Sequence, residues 1–173
     1  MGWALLRGVA ELSAGDPRVA EWKKRLDLRP HPEGGWFREA YGEKLLVEPA
    51  DGRGARRALS AIYYLLAKGE HGRWHKVRSA EAWTLLDGGP LALGMFDAGA
   101  GIFTEHRLAR DGEPLRVVAA GIWQAAYPIN EYALVACVVG PGFDWADFAW
   151  LKDFPEEMAV MRARAPEAWR GLV

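Results

Sequence analysis

His75 and Glu81 are the residues whose types and spacing point most directly to chemistry. On an extended strand, residues two apart face the same way, so Arg73, His75 and Val77 are expected on one face. Ser79 and Ala80 are placed to turn the chain, and Glu81, Trp83 and Leu85 then share a face on the returning strand. A hairpin in that register sets the carboxylate beside the imidazole. A carboxylate in contact with the ring would raise the imidazole pKa and orient it, which makes a workable pair for moving a proton. Spacing alone leaves a second reading open, in which His75 is a hydrogen-bonded core histidine and Glu81 its exposed neighbour.

Further side chains could complete such a site. Gln124 cannot titrate, but its amide donates and accepts, which suits recognition of a hydroxyl or carbonyl. Arg73 could hold a carboxylate or phosphate in bidentate fashion, or snorkel to solvent. Tyr64, alternating with Ile62 and Leu66, is either a phenol aimed inward as a proton donor or a core residue. Trp83 could wall a sugar ring or planar ligand. His71 lies four residues from His75, about 13 Å along an ideal strand, so it would reach the site only through a bulge near Gly72. His106 and His31 read as surface or supporting residues, and Cys137 as inert core.

The elements that must carry these residues are strands. Asp16 followed by Pro17 reads as a helix start, with Val19, Trp22 and Leu26 at helical spacing. Pro30, His31 and Pro32 force an extended path, and Trp36 to Tyr41 reads as the first strand. Residues 48–56 have the composition of an exposed loop, and Arg53, Arg56 and Arg57 there read as solvated surface. From Ala58 onward, short β-rich runs separated by Gly- and Pro-containing turns indicate an antiparallel sandwich or barrel. Residues 143–148 read as a strand with one packed face, and a helix after Asp153 is expected to pack outside the barrel. The chain divides into a helical segment 1–27, a barrel 28–150 and a helical tail 151–173.

Composition removes several function classes. A chain of 173 residues with 50% apolar residues suits one domain with a sizeable core. A formal net charge of −1 with scattered basic residues argues against nucleic acid. One cysteine permits neither an internal disulfide nor a Cys-rich zinc site, and suits a reducing, cytoplasmic setting. Residues 1–14 lack the pattern of a secretory leader, and the longest apolar run, 133–139, is too short to span a bilayer, so no membrane partner is expected.

The motif Gly69, His75, Val77, Glu81 and Gly88 resembles the first signature of the cupin superfamily, with Val77 where a second histidine usually stands. Residues 118–125 resemble the second signature, with Ala119 replacing a proline and Gln124 a histidine. These departures, together with Pro30-His31-Pro32-Glu33-Gly34-Gly35 and the run from Pro141 to Phe148, are similar to one small uncharacterised branch of cupins, some members of which have been likened to sugar epimerases. The resemblance implies an all-β, single-domain cupin jelly-roll barrel with short terminal helices, a small-molecule pocket in its mouth and a homodimer. It also implies that Glu33, Arg38 and Tyr41, on a strand covering that mouth, contact ligand, with Glu39 facing outward.

Metal-dependent cupins present two or three imidazoles and a carboxylate. Here His75 and Glu81 remain, Val77 cannot ligate, and an amide oxygen at Gln124 is a poor donor, so neither a metal nor another cofactor is expected. Three functions follow from this reading. The first is a metal-independent isomerase or epimerase with His75 as base and Glu81 as its orienting partner. The others are a non-catalytic ligand-binding cupin and a metal-dependent enzyme with an unrecognised ligand.

Overall fold

In the computed structural model, residues 16–173 are described. The reading of residues 1–14 as lacking a leader lies outside them, as does the first part of the 1–27 segment. Helix α1 (Pro17–Arg25) starts as its sequence dictates: the Asp16 side chain accepts from the Arg18 backbone N–H at 2.9 Å, and Pro17 occupies the first turn, where no N–H is needed. The strands follow as β1 (Arg29–Pro30), β2 (Trp36–Gly42), β3 (Leu46–Val47), β4 (Arg56–Arg57), β5 (Ser60–Ala67), β6 (Gly72–Val77) and β7 (Ala80–Gly88). Then come β8 (Leu91–Asp97), β9 (Ile102–Leu108), β10 (Leu115–Val118), β11 (Trp123–Pro128), β12 (Tyr132–Gly140) and β13 (Phe148–Trp150). Helices α2 (Pro155–Arg164) and α3 (Glu167–Arg170) end the chain, separated by Ala165 and the helix-breaking Pro166.

Two antiparallel sheets form the barrel. One has six strands in the order β1-β2-β5-β12-β7-β10, the other five in the order β13-β6-β11-β8-β9, and β3 and β4 pair separately. The inner faces meet over a core of Tyr64, Leu66, Trp83, Leu93, Val135 and their neighbours. Strand alternation explains which residues enter it: on β5, Tyr64 and Leu66 point in, while Tyr63 and Leu65 pack outward against Val19, Trp22 and Leu26 of the helical segment. The outer face of the five-stranded sheet is covered by the C-terminal helices through Trp74, Trp123, Met161 and Trp169. Gly94 is required there, because a Cβ on it would lie 2.6 Å from the Trp169 indole. Among the described residues no helix is long and apolar enough to cross a membrane.

Two segments differ from their sequence reading. Residues 143–148 form a 3-10 turn, Trp145–Asp147, leading into β13, rather than one strand. Of the three arginines read as solvated, Arg57 is half exposed, but the Arg53 and Arg56 side chains are largely buried. Arg56 donates to both Asp147 carboxylate oxygens at 2.9 Å, and Arg53 adds a third contact at 3.1 Å. Those hydrogen bonds, Arg56 foremost, hold the Asp147 carboxyl below its usual range. The loop is thereby strapped to the turn that carries Trp145.

Candidate functional site

A cavity of about 170 Å³ lies between the sheets at the barrel mouth. Phe37, Tyr64, Trp83, Phe143 and Trp145 supply aromatic walls, and His31, Glu33, His75, Glu81 and Cys137 supply the groups that can carry or accept a proton. Strand β7 delivers Glu81 and Trp83 inward, as the two-residue repeat requires. Gln124 sits directly across from His75 in the β6–β11 ladder.

The same ladder explains why one expectation fails. Ala126 pairs with Gly72 and Gln124 with His75, so β6 carries an extra residue opposite Ala125. This β-bulge breaks the two-residue alternation. Trp74 turns out to the helical layer, His75 turns in, and Arg73 is left exposed, off the cavity wall. Arg73 contributes its backbone instead: its carbonyl accepts from His75 Nδ1 at 2.7 Å.

Four side chains form one closed network around that contact. The Trp83 indole N–H, which can only donate, bonds Gln124 Oε1 at 2.9 Å and so fixes which way the amide faces. Its NH2 group then donates to Glu81 Oε2 at 2.6 Å and to His75 Nε2 at 3.2 Å. The hairpin reading set imidazole and carboxylate side by side, but they do not touch; Gln124 stands between them. Burial also overrides the expected rise in the His75 pKa and pushes it down to about 4, only partly opposed by the bond to the Arg73 carbonyl. His75 is a neutral ring stacked on Phe148 at 5.4 Å, with its proton on Nδ1 and its lone pair occupied. It is not free to act as a base.

The carboxyl groups carry the titratable chemistry. Burial raises Glu81 to about 7, against the lowering pull of hydrogen bonds from Gln124 and the Cys137 thiol. Burial raises Glu33 well above the usual carboxylate range, and the Glu81 charge adds to that. Glu33 Oε2 approaches His75 Nδ1 at 3.3 Å, but with the ring neutral this is not an ion pair. Among the described residues no lysine or arginine lines the cavity.

Among the residues expected at the site, His75, Glu81, Trp83, Tyr64 and Glu33 line the cavity. The Tyr64 hydroxyl donates to the Gly34 carbonyl at 2.8 Å, and burial holds its pKa well above the usual phenol value. Gln124 is fully buried behind the wall with its amide N–H groups committed to protein partners. Arg38 and Tyr41 stand outside: Arg38 lies over the Tyr63 ring at 5.4 Å, and Tyr41 is 49% exposed. Strand β2 places Phe37 and Glu39 on the cavity side, so Glu39, expected outside, faces the mouth and accepts from Arg57 at 3.1 Å. His31 and Cys137, read as supporting and inert, also line the cavity.

A metal does not fit this donor set. The centre that two imidazoles and a carboxylate would surround is filled by the donating N–H groups of Gln124, and Val77 presents only carbon. Among the described residues no three His, Cys, Asp or Glu side chains converge as a metal set.

Two antiparallel sheets closed around a mouth cavity define a small jelly-roll barrel protein. The chain belongs to the cupin superfamily: residues 20–151 match the family described as Cupin superfamily (DUF985). It is similar to a hypothetical protein from Leishmania major, at 27% identity and a TM-score of 0.72, over 86% of this chain and 98% of that one. A Shewanella oneidensis protein is similar at 28% identity and a TM-score of 0.69, over 85% and 97% of the two chains. Oxalate decarboxylase from Bacillus subtilis shares the fold, at 19% identity and a TM-score of 0.56, over 86% of this chain and 37% of that one. No curated protein matches the chain.

Proposed function

We propose that the chain is a metal-independent isomerase or epimerase of small, carbohydrate-like hydroxycarbonyl compounds, with Glu81 rather than His75 as the proton-transfer base. The observation that carries this reading is a pair of buried carboxyls lining one cavity with no lysine or arginine beside them among the described residues, Glu81 raised to about 7 and Glu33 raised well above the usual carboxylate range. Environments that push two acids apart in this way assign them opposite roles.

The Glu81 carboxylate takes a proton from the carbon beside the carbonyl, and the Glu33 carboxyl gives its proton to the carbonyl oxygen, leaving an enediol. Glu33, now ionised, recovers a proton from the neighbouring hydroxyl, and Glu81 returns its own to the adjacent carbon. Both acids end as they began. Gln124 keeps Glu81 in place, and His75, anchored by the Arg73 carbonyl and stacked on Phe148, holds Gln124.

Dihydroxyacetone incubated with the protein in D2O should gain deuterium at carbon, read by proton NMR. The rate should rise with pH through about 7, as Glu81 ionises. Glu81→Gln should lower exchange by roughly 10²–10⁴-fold, the range for a positioned acid or base. Exchange unchanged in that variant would falsify the assignment.

A further inference from the structure

His31 is built into the cavity wall by a short turn. Its backbone N–H donates to the Gly35 carbonyl at 2.9 Å, and its own carbonyl accepts from Gly34 at 3.0 Å. Gly34 and Gly35 have φ of 110° and 67°, and a Cβ at either would collide with the carbonyl of His71 or Leu65, so this segment must be glycine to seat so closely. The ring packs edge-on against Phe37 at 4.5 Å and Tyr64 at 5.3 Å, with its side chain only 10% exposed.

One nitrogen of that ring is spoken for. The backbone N–H of Glu33 donates to His31 Nδ1 at 3.1 Å. A backbone N–H has no lone pair, so Nδ1 must be the acceptor, and a neutral ring then carries its proton on Nε2. Burial, reinforced by the nearby His75, lowers the His31 pKa to about 4, so the ring is neutral across the working range. Among the described residues Nε2 has no hydrogen-bond partner. His75 has the reverse arrangement, with its proton on Nδ1 and Nε2 accepting from Gln124.

We propose that His31 is a further catalytic residue, whose Nε2–H binds the carbonyl oxygen of an uncharged substrate and stabilises the charge that forms there. The catalytic part of this role rests on proton transfer by Glu81; the binding part does not. A neutral imidazole suits the task because it donates strongly to a developing oxyanion without surrendering its proton in the ground state. The substrate class follows from the rest of the wall. With no lysine or arginine among the described residues lining the cavity, a phosphate or carboxylate substituent would lose its hydration without gaining a countercharge. The site therefore takes free hydroxycarbonyls rather than phosphorylated or acidic ones.

Two measurements on the whole protein test this. Long-range proton–nitrogen NMR of histidine-labelled protein, assigned with His31→Gln and His75→Gln, should show opposite tautomers: protonated Nε2 in His31 and protonated Nδ1 in His75. Titrating dihydroxyacetone should then move the His31 Nε2 proton, and dihydroxyacetone phosphate should not. His31→Leu should slow deuterium exchange by about 10²–10³-fold, the usual cost of one oxyanion donor, with partial rescue in His31→Gln, whose amide can still donate. A proton on Nδ1 of His31, a silent Nε2 proton, or full-rate exchange in His31→Leu overturns the assignment. If the wild type binds dihydroxyacetone through the Nε2 proton but exchanges nothing, the Glu81 reading falls while the donor role of His31 stands.

Discussion

Strands β6 and β11 carry two different environments on their opposite faces. Outward, Trp74 and Trp123 join Trp169 and Met161 in an aromatic layer, and each indole N–H has a partner: Trp74 bonds the Trp169 carbonyl at 2.9 Å, Trp169 bonds Glu105 at 2.7 Å, and Trp123 bonds Glu157. Inward, His75 and Gln124 belong to a network that satisfies its own members yet stands beside His31, whose Nε2 has no hydrogen-bond partner among the described residues. A face that consumes all its polar capacity stabilises the fold. One that holds some back in an enclosed space is equipped to receive a ligand.

The largest test of this contrast is Trp169→Ala. Removing a fully buried indole should cost about 3–5 kcal/mol of unfolding free energy, measured by denaturant titration. Dihydroxyacetone exchange by the folded fraction should stay within a few-fold of wild type, because no atom of Trp169 lines the cavity. Exchange lost in proportion to stability would mean the two faces are not independent.

Next in size is the pH dependence of stability set by Glu81. Its folded pKa of about 7 lies above the ordinary 4.5, so its stabilising contribution is full below 4.5 and is lost as pH rises through about 7. That loss amounts to about 3 kcal/mol. Glu81→Gln should therefore be more stable than wild type at pH 8 while exchanging far more slowly, a reversal that an outer-face variant cannot produce. His31 and His75, lowered to about 4, contribute in the opposite sense: their stabilisation is present above 6.5 and lost as pH falls through about 4. In Glu81→Gln the acid-side loss should appear without the opposing Glu81 slope. A wild-type and variant pair with parallel stability curves from pH 4 to 8 would remove the buried-acid assignment.

How much of this was legible in the sequence depended on the reach of the physical rule involved. Alternation and turn residues act over a few positions, and they located the barrel strands and turned Glu81, Trp83 and Tyr64 inward, while the resemblance to the cupin signatures brought out Val77 and Gln124. The bulge in β6 starts at Gly72, where the sequence reading invokes a bulge for His71 alone, and by shifting the alternation once it moved Arg73 out of the cavity. Strand β2 shows the same limit: the extended pattern did not reveal which of Arg38 and Glu39 faced the sheet interior, and Glu39 is the one at the cavity mouth. Contacts between distant segments, such as Asp147 with Arg53 and Arg56 or His31 with Tyr64, depend on how the whole barrel closes. For His31 a local signal did exist, since Gly34 and Gly35 beside two prolines describe a rigid turn rather than a passive loop.

Cys137 gives the finest test of the inner face. Within the apolar run of β12 it reads as a core residue, yet it opposes Trp83 across the ladder and lines the cavity beside Glu81. Its thiol hydrogen bond lowers the Glu81 pKa, while burial raises its own. Cys137→Ala removes a donor to the carboxylate and should move the rising limb of the exchange profile to higher pH. Cys137→Ser supplies a stronger donor in the same place and should move it lower. The displacement should be a fraction of a pH unit in each direction, because the Gln124 amide remains the larger of the two hydrogen-bonding influences. Opposite shifts in the two variants would tie the rising limb to Glu81 itself. A limb that stays fixed in both would assign it to a group away from Cys137, and with it would go the claim that this carboxylate is the base.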